Sequence, residues 1–536
     1  MVRRTGRGGD DRRRSRLSGV QIVCTQARHG LHSLVILGMI QTQTETLTDL
    51  LSNVRERIRT HVSRKTATPS GAFETLSREE LSYLLEPGAL SVFIPGEYGG
   101  RGGHISEGLS MLETASYESL PVSLILGING ALFLQPLSRY GNPDVCERVY
   151  GRFIKEQAVG GLMITEPDYG SEALGMQTSF EPTGNGYRIR GTKHWGGLTG
   201  MADYWMLTAR PKNSRGELGR GVSMFVWEQS QGGIHVPERY QTLGLSMIPY
   251  GRNEIDTVVP EANQLKPEAT GLRMFLDTLH RSRLQFPGMA IGYLRRLSDD
   301  ALAHVRTRIV GGHPLLSYDQ VRSRLAALQA RVTTCAAMCV YSVAEARTDH
   351  DTSPLALAAN SIKSVATDYM QSAAQSVMQL FGGNGYRREH IAARSLADSR
   401  PFQIFEGSND ILYEQITEMI TKGMKRAKET NLFQYLRTFD ATSRAAESLR
   451  HALDIDLKES LPQRKIVQLG RALGRVVSLQ MLYELADRGY PSEHIANADA
   501  FLREQISALL HTFSLNESGA PLEDNGLSGD WLSYTD

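Results

Sequence analysis

The feature that most constrains the fold of this chain is a change in side-chain period that separates helical from strand-like parts. Residues 43–160 are mainly helical in pattern, and residues 271–425 form long, alanine-rich helical patterns. Between them, residues 161–270 alternate side-chain character over short runs bounded by Gly, Asn and Pro. We therefore predict an α+β fold: an N-terminal helical domain, a middle antiparallel β-barrel or sandwich, and a C-terminal helix bundle.

The predicted domains are residues 39–160, 161–270 and 271–425, within the three or four units that 536 residues allow. Residues 426–536 are predicted to form a helical extension, because amphipathic patterns recur there before a Gly/Ser/Asp-rich, loose end from Asn516 onward.

Residues 1–38 differ from the rest because arginines crowd a Gly-rich start. This composition favours a disordered tail, with Met39 as the working start of the protein. A targeting peptide is an alternative, although Asp10 and Asp11 argue against an organellar transit sequence. Contact with nucleic acid is a further alternative.

Composition gives weak guidance on partners and location. The formal net charge of +1 provides no overall attraction to nucleic acid, and we expect none as a partner. Four cysteines are too few for a disulfide framework, and Cys335 and Cys339 are expected to be buried thiols with no metal site. No continuous apolar run approaches the roughly 20 residues of a membrane span, so a cytoplasmic, soluble protein is expected, with peripheral membrane association as an alternative.

One carboxylate stands out in the C-terminal part. Glu406 follows the apolar residues Phe402, Ile404 and Phe405 and precedes Gly-Ser-Asn. Burial without a partner would raise its pKa and suit a general base. Alternatively, this Glu caps the helix that begins near Asn409, because acidic groups favour helix N-termini.

Four motifs, in order along the chain, resemble those of the acyl-CoA dehydrogenases. They are TEPDYGS at 165–171, GTKHW at 191–195, QLFGGNGY at 379–386 and IFEGSNDI at 404–411. The resemblance extends from about Glu80 to Met419. It implies an FAD-dependent enzyme in which Glu406 removes the α-proton of an acyl thioester and flavin N5 accepts the β-hydride. Some members of that family carry the base at the position of Ser282, which cannot act as one.

The resemblance also assigns binding residues. For the cofactor they are Leu162, Thr165, Ser171, Trp195, Gly197, Arg308, Gln320, Gln379, Gly382, Gly383, Ser408 and Asp410. For the substrate they are Ser171, Arg283 and Gly407. Arg308 matches an arginine that reaches the FAD of a neighbouring subunit, which implies a homodimer or homotetramer.

Three departures from the family pattern bear on substrate and electron acceptor. Gly196-Gly197 replaces a pair whose Thr or Ser contacts flavin N5, which should alter flavin chemistry and leave room near the ring. Phe286-Pro287 replaces small residues and should reshape the acyl pocket. Ala397-Asp398 stands where the family has Arg-Asp.

Several alternatives therefore remain open. The substrate is an acyl-CoA or an acyl group on a carrier protein, and the acceptor is an electron-transfer flavoprotein or O2. With O2 the protein would be an acyl-CoA oxidase. A flavoprotein with a mainly binding role is the third alternative.

Overall fold

The computed structural model describes residues 45–66, 74–457 and 461–515. The N-terminal part of the protein is helical. Its helices are α1 (Leu47–Lys65), α2 (Arg78–Leu85), α3 (Ile105–Glu118), α4 (Leu120–Asn129), α5 (Gln135–Tyr140) and α6 (Pro143–Glu156). The capping box predicted at Ser77 is confirmed: the Ser77 hydroxyl accepts from Glu80 N at 3.1 Å, and the Glu80 carboxylate accepts from Ser77 N at 2.7 Å.

The helical segment Leu120–Tyr140 runs through α4, a π-helical turn over Gly130–Leu134, and α5. Its length and hydropathy are those of a membrane span, but its most apolar stretch is entirely buried inside the protein. The apolar sequence is interrupted by Ser123, Asn129 and Gln135. For this reason the sequence shows no continuous apolar run of membrane-spanning length here. Burial on all sides makes it a core helix of the N-terminal part.

The middle part is a mixed sheet. Its strands are β1 (Gly160–Met163), β2 (Ser179–Thr183), β3 (Gly186–His194), β4 (Tyr204–Pro211), β5 (Ser223–Glu228), β6 (Ile234–Arg239) and β7 (Gly251–Val259), in the order β1-β4-β2-β3-β7-β6 with β5 also on β4. β1 and β2 both run parallel to β4, so the prediction of purely antiparallel strands is wrong for these two pairs. Alternating side-chain character identifies a strand, but it does not show which other strand that strand pairs with, or in which direction.

The C-terminal bundle packs around one alanine-rich helix. The elements are α7 (Gly271–Arg283), α8 (Phe286–Thr307), the hairpin strands β8 (Ile309–Val310) and β9 (His313–Pro314), α9 (Asp319–Glu345), α10 (Ala356–Phe381), α11 (Ile391–Ser399) and α12 (Asn409–Ala427). On α10, the residues Val365, Tyr369, Ala373 and Val377 of one face are buried, and Phe381 on the same face is partly buried. Gly382, with φ of +59°, ends that helix.

The extension is helical and packs directly on the bundle. It comprises α13 (Leu432–Leu436), α14 (Ser443–Ser448), α15 (Arg450–Leu453), α16 (Gln463–Asp487) and α17 (Ser492–Ser514). A Cβ built on Gly470 of α16 would lie 2.0 Å from the carbonyl oxygen of Tyr413, so glycine is required for α16 to approach α12 this closely. The single helix predicted over 443–453 is interrupted at Leu449.

Residues from Thr46 onward cluster into one unit, so the four-part domain division stays an interpretation of element type. The predicted tail at residues 1–38 and the predicted loose end after Asn516 lie outside the described residues.

Candidate active site

Glu406 lies in a tight turn immediately before α12. Its φ is +55° and that of Gly407 is +91°, so two consecutive residues are left-handed. The helix cap is Ser408, whose hydroxyl accepts from Ile411 N at 3.4 Å. The alternative in which Glu406 caps this helix is therefore wrong, because the turn places a different side chain at the cap.

The two carboxylate oxygens of Glu406 have different surroundings. Ser282 Oγ, at the end of α7, donates to Oε1 at 3.0 Å. Oε2 is buried and has no hydrogen-bond partner among the residues the structure describes. Burial raises the pKa of Glu406, while the Ser282 hydroxyl and the charges of Arg283 and Lys363 act in the opposite direction. This carboxylate has the environment of a proton acceptor.

Two buried cations hold the backbone of this turn. Arg283 donates from Nη2 at 2.7 Å and from Nε at 3.1 Å to the Glu406 carbonyl. Lys363 Nζ donates to the Gly407 carbonyl at 2.8 Å and to Asn409 Oδ1 at 3.0 Å. Burial lowers the pKa of Arg283 to about 10 and that of Lys363 to about 7. The pair stabilises a backbone conformation that an L-residue at 406 rarely adopts.

Sequence analysis did not identify Lys363 as a residue of this site. A lysine between small and apolar residues in the pattern NSIKSVA of α10 was the available signal, because such a lysine is rarely buried without a specific partner.

An aromatic wall borders the turn on the side of α8. The ring centroid of Phe286 lies 5.9 Å from that of Phe402 and 6.1 Å from that of Phe405, which directly precedes Glu406. Phe286 is fully buried. A large side chain thus fills space beside Glu406, at the first position of the Phe286-Pro287 departure.

The TEPDYGS loop is held in place by a buried ion pair. Lys193 of β3, fully buried, donates to Glu166 Oε1 at 2.9 Å and to the Ile164 carbonyl at 2.8 Å. Glu166 also accepts from the backbone of Gln177 at 2.6 Å and of Thr178 at 2.9 Å. Both residues are motif positions to which no role had been assigned, and here they fix the shape of the loop.

Trp195 and Thr165 are brought together by one backbone contact. His194 N donates to the Thr165 carbonyl at 2.9 Å, so the loop that carries Thr165 abuts the end of β3. The indole of Trp195 is 51 % exposed although it packs against Tyr240, with ring centroids 4.6 Å apart. An indole half open to solvent beside a fixed loop offers a flat surface for a planar ring.

The room expected beside Gly197 is not present. A Cβ at that position would lie 2.6 Å from Ile128 Cδ1 of α4, so Ile128 occupies the space. The nearest hydroxyl in sequence, Thr199, donates to the Gly196 carbonyl at 2.7 Å and accepts from Asn253 Nδ2 at 3.1 Å. The expectation of open space was wrong because the helical part of the chain contributes to this wall.

The remaining predicted residues lie at the ends of elements. Leu162 is buried on β1 and Ser171 is exposed in the loop. Arg308, Gln320, Gln379, Gly382 and Gly383 are all exposed, and a Cβ on either glycine would meet nothing within 4 Å. Within the part of the chain that the structure describes, none of these five residues forms a hydrogen bond or ion pair with Glu406. Asp410 pairs with Arg471 of the extension at 3.1 Å.

Among the described residues, no group of three or more His, Cys, Asp or Glu could hold a metal ion. Cys335 is buried and Cys339 partly buried, both as free thiols.

Comparison with known proteins matches three parts of the chain to one family. Residues 44–157, 161–258 and 269–421 match the N-terminal, middle and C-terminal domains of acyl-CoA dehydrogenase respectively. An acyl-CoA dehydrogenase of Bacillus subtilis (strain 168) is 26 % identical over 330 residues, which are 60 % of this chain and 84 % of that protein.

Two solved structures share the fold. An acyl-CoA dehydrogenase from Bacillus anthracis, complexed with FAD, has a TM-score of 0.72 at 17 % identity and covers 87 % of this chain and 88 % of its own. A prolyl acyl carrier protein oxidase has a TM-score of 0.62 at 18 % identity and covers 70 % of this chain and 98 % of its own. The wider coverage of the first match extends beyond residue 421 into the extension.

Proposed function

Because the chain belongs to the acyl-CoA dehydrogenase family, we propose that it is an FAD-dependent oxidoreductase that forms a double bond between Cα and Cβ of an acyl thioester, with Glu406 as the base. The observation that carries the assignment of Glu406 is its buried, unpartnered Oε2 beside a hydrogen-bonded Oε1. A proton acceptor needs one free oxygen, and burial raises the pKa of this carboxylate toward the working range of a base.

The backbone of the same residue supplies a second function. Within the described parts of the chain, the Glu406 N–H has no hydrogen-bond acceptor. Arg283 and Lys363 hold the following two carbonyls, so this N–H is kept in a fixed orientation. We assign it to the thioester oxygen, where it stabilises the negative charge that develops as the α-proton leaves.

The residues present fit FAD. The half-exposed Trp195 offers a ring face, the loop at Thr165 is fixed beside it, and the surface over Gly382 and Gly383 is open to close approach. FAD, when bound, supplies the acceptor for the β-hydride. Arg308, exposed at the end of α8, serves the FAD of a second subunit in this assignment, so we propose a homodimer or homotetramer.

Acyl-CoA and carrier-bound acyl groups are both retained as substrates, because one structural neighbour is a carrier-protein oxidase. An oxidase activity with O2 is the second candidate function. The observation that favours it is the absence of a hydroxyl at Gly197.

The test is anaerobic mixing of the purified, flavin-loaded protein with a panel of acyl-CoAs and acyl-carrier proteins. We expect bleaching of the flavin by at least one thioester. Hydrogen peroxide that forms in step with product in air would identify the oxidase, whereas reoxidation only by an electron-transfer flavoprotein would identify the dehydrogenase. A flavin that no thioester bleaches would contradict the proposed function.

A further inference from the structure

A cleft of about 210 Å³ lies apart from the candidate active site. It is bordered by the end of α1, the junction of α3 and α4, the loop before β7, and α8 and α11. The cleft is not bordered by Glu406, Ser282 or Arg283. It is also not bordered by the flavin-site residues Thr165 and Trp195. The charged side chains in its wall are Arg59, Glu118, Arg296, Arg394 and Asp398. We name it the Arg394 cleft.

Arg394 is the unusual member of this wall. It is half-buried, its Nε is fully buried, and its guanidinium has no hydrogen-bond or ion-pair partner among residues 45–66, 74–457 and 461–515. Guanidinium groups in such positions normally bind carboxylates or phosphates with two parallel hydrogen bonds. Leaving buried donors of a cation unsatisfied is costly, so an anion in the cleft would be stabilised by them.

The other two arginines of the cleft wall already have carboxylate partners. Arg59 and Arg296 both contact Glu118, at 3.0 Å and 3.6 Å, so this carboxylate is already neutralised. Asp398 accepts a hydrogen bond from Leu245 N at 2.6 Å, and burial raises its pKa to about 6. Arg296 also pairs with Asp300 at 2.8 Å, and Arg59 with Glu56 at 3.5 Å. Asp398 attracts Arg394 electrostatically, but within the described parts of the chain it forms no hydrogen bond or ion pair with it.

The sequence explains why this space is open. Ala397 borders the cleft at the position where the family pattern has an arginine before the aspartate. The small side chain leaves the volume that a guanidinium would fill. Arg394 lies one helical turn earlier on α11, so this chain carries a cation beside the cleft.

We propose that the Arg394 cleft binds an oxyanion, the carboxylate or phosphate group of a small molecule, with Arg394 as its principal ligand. This site is separate from thioester dehydrogenation and does not depend on it. The hydroxyls of Ser246 and Ser395, which border the cleft, are available as further donors.

The test is calorimetric titration of the full-length, flavin-loaded protein with inorganic phosphate and, separately, with succinate. We expect saturable binding of at least one probe, and the tighter of the two identifies the class of anion. Arg394→Gln should weaken that binding by about tenfold or more, because it removes charge-assisted hydrogen bonds. Arg426→Gln on the exposed face of α12, which removes the same charge outside the cleft, should bind as the wild type does.

Ala397→Leu provides an independent variant, because a larger uncharged side chain at this position should fill part of the cleft and weaken binding while the circular dichroism spectrum is retained. The proposal is wrong if neither probe binds saturably at millimolar concentration, or if Arg394→Gln binds as tightly as the wild type.

Discussion

Ser282 Oγ donates a hydrogen bond of 3.0 Å to Oε1 of Glu406, which joins the end of α7 to the turn before α12. The family resemblance gives two positions for the base, those of Glu406 and Ser282. These two positions are therefore in direct contact in this chain. Here one position holds the carboxylate and the other orients it.

Replacing Glu406 should slow proton removal while sparing flavin binding. For Glu406→Gln we expect flavin reduction by a thioester to slow by about 10²- to 10⁴-fold, the range contributed by a general base. The measurement is anaerobic stopped-flow absorbance of the flavin. Glu418→Gln, on α12 and paired with Lys422 in the wild type, is the matched control. Bleaching of Glu406→Gln at the wild-type rate would refute the assignment.

Removal of the Ser282 hydroxyl should shift the pH profile. This hydroxyl lowers the pKa of Glu406 against the larger, opposing effect of burial. In Ser282→Ala the pKa should rise further, and because only the deprotonated base accepts a proton, the acidic limb of the rate profile should move to higher pH. Ser282→Thr keeps the hydroxyl and should retain the wild-type profile. An unchanged limb in the alanine variant would show that the hydrogen bond has no influence on the base.

The wall at Gly197 can be tested with a pair of substitutions. Gly197→Ser alone should lower the free energy of unfolding by roughly 1–3 kcal/mol, because its Cβ would overlap Ile128. In a protein that already carries Ile128→Ala, Gly197→Ser should lower the free energy of unfolding by less than it does in the wild type. The measurements are urea unfolding and flavin content. A single variant as stable as the wild type would contradict the packing.

The aromatic wall should limit the acyl group. Phe286→Val removes part of a fully buried ring that packs on Phe402 and Phe405, so space opens beside Glu406. We expect relative rates of flavin reduction to shift toward longer or branched acyl groups, with a stability loss of roughly 2–4 kcal/mol. Phe433→Val, buried in α13, should lose similar stability without changing the acyl preference. An unchanged preference in Phe286→Val would place the acyl group elsewhere.

Local patterns predicted much of the fold, and motifs singled out Glu406 as the candidate base. The capping box at Ser77 and the buried face of α10 followed from residues close in sequence. The relations that were missed join distant segments: Lys363 to Gly407, 44 residues apart, and Ile128 to Gly197. Such contacts depend on how whole elements pack, which the period of a single segment does not record.

Asp398 yields a stability prediction with the opposite sign to that of most carboxylates. Burial raises its pKa from 3.8 to about 6, so between these values the folded protein binds a proton that the unfolded chain has lost. The free energy of unfolding should therefore fall as pH rises through this window. Asp398→Asn keeps the oxygen that accepts from Leu245 N, and at pH about 7 it should be more stable than the wild type by up to about 3 kcal/mol.

Urea unfolding across this pH range measures both the stability and its slope. The slope between the two pKa values should be shallower in Asp398→Asn than in the wild type, because the titrating group is gone. If Asp398→Asn instead lost stability at neutral pH and kept the slope, the charged form of Asp398 would have to be stabilised in the fold, and its attraction to Arg394 would compete with an anion in the Arg394 cleft.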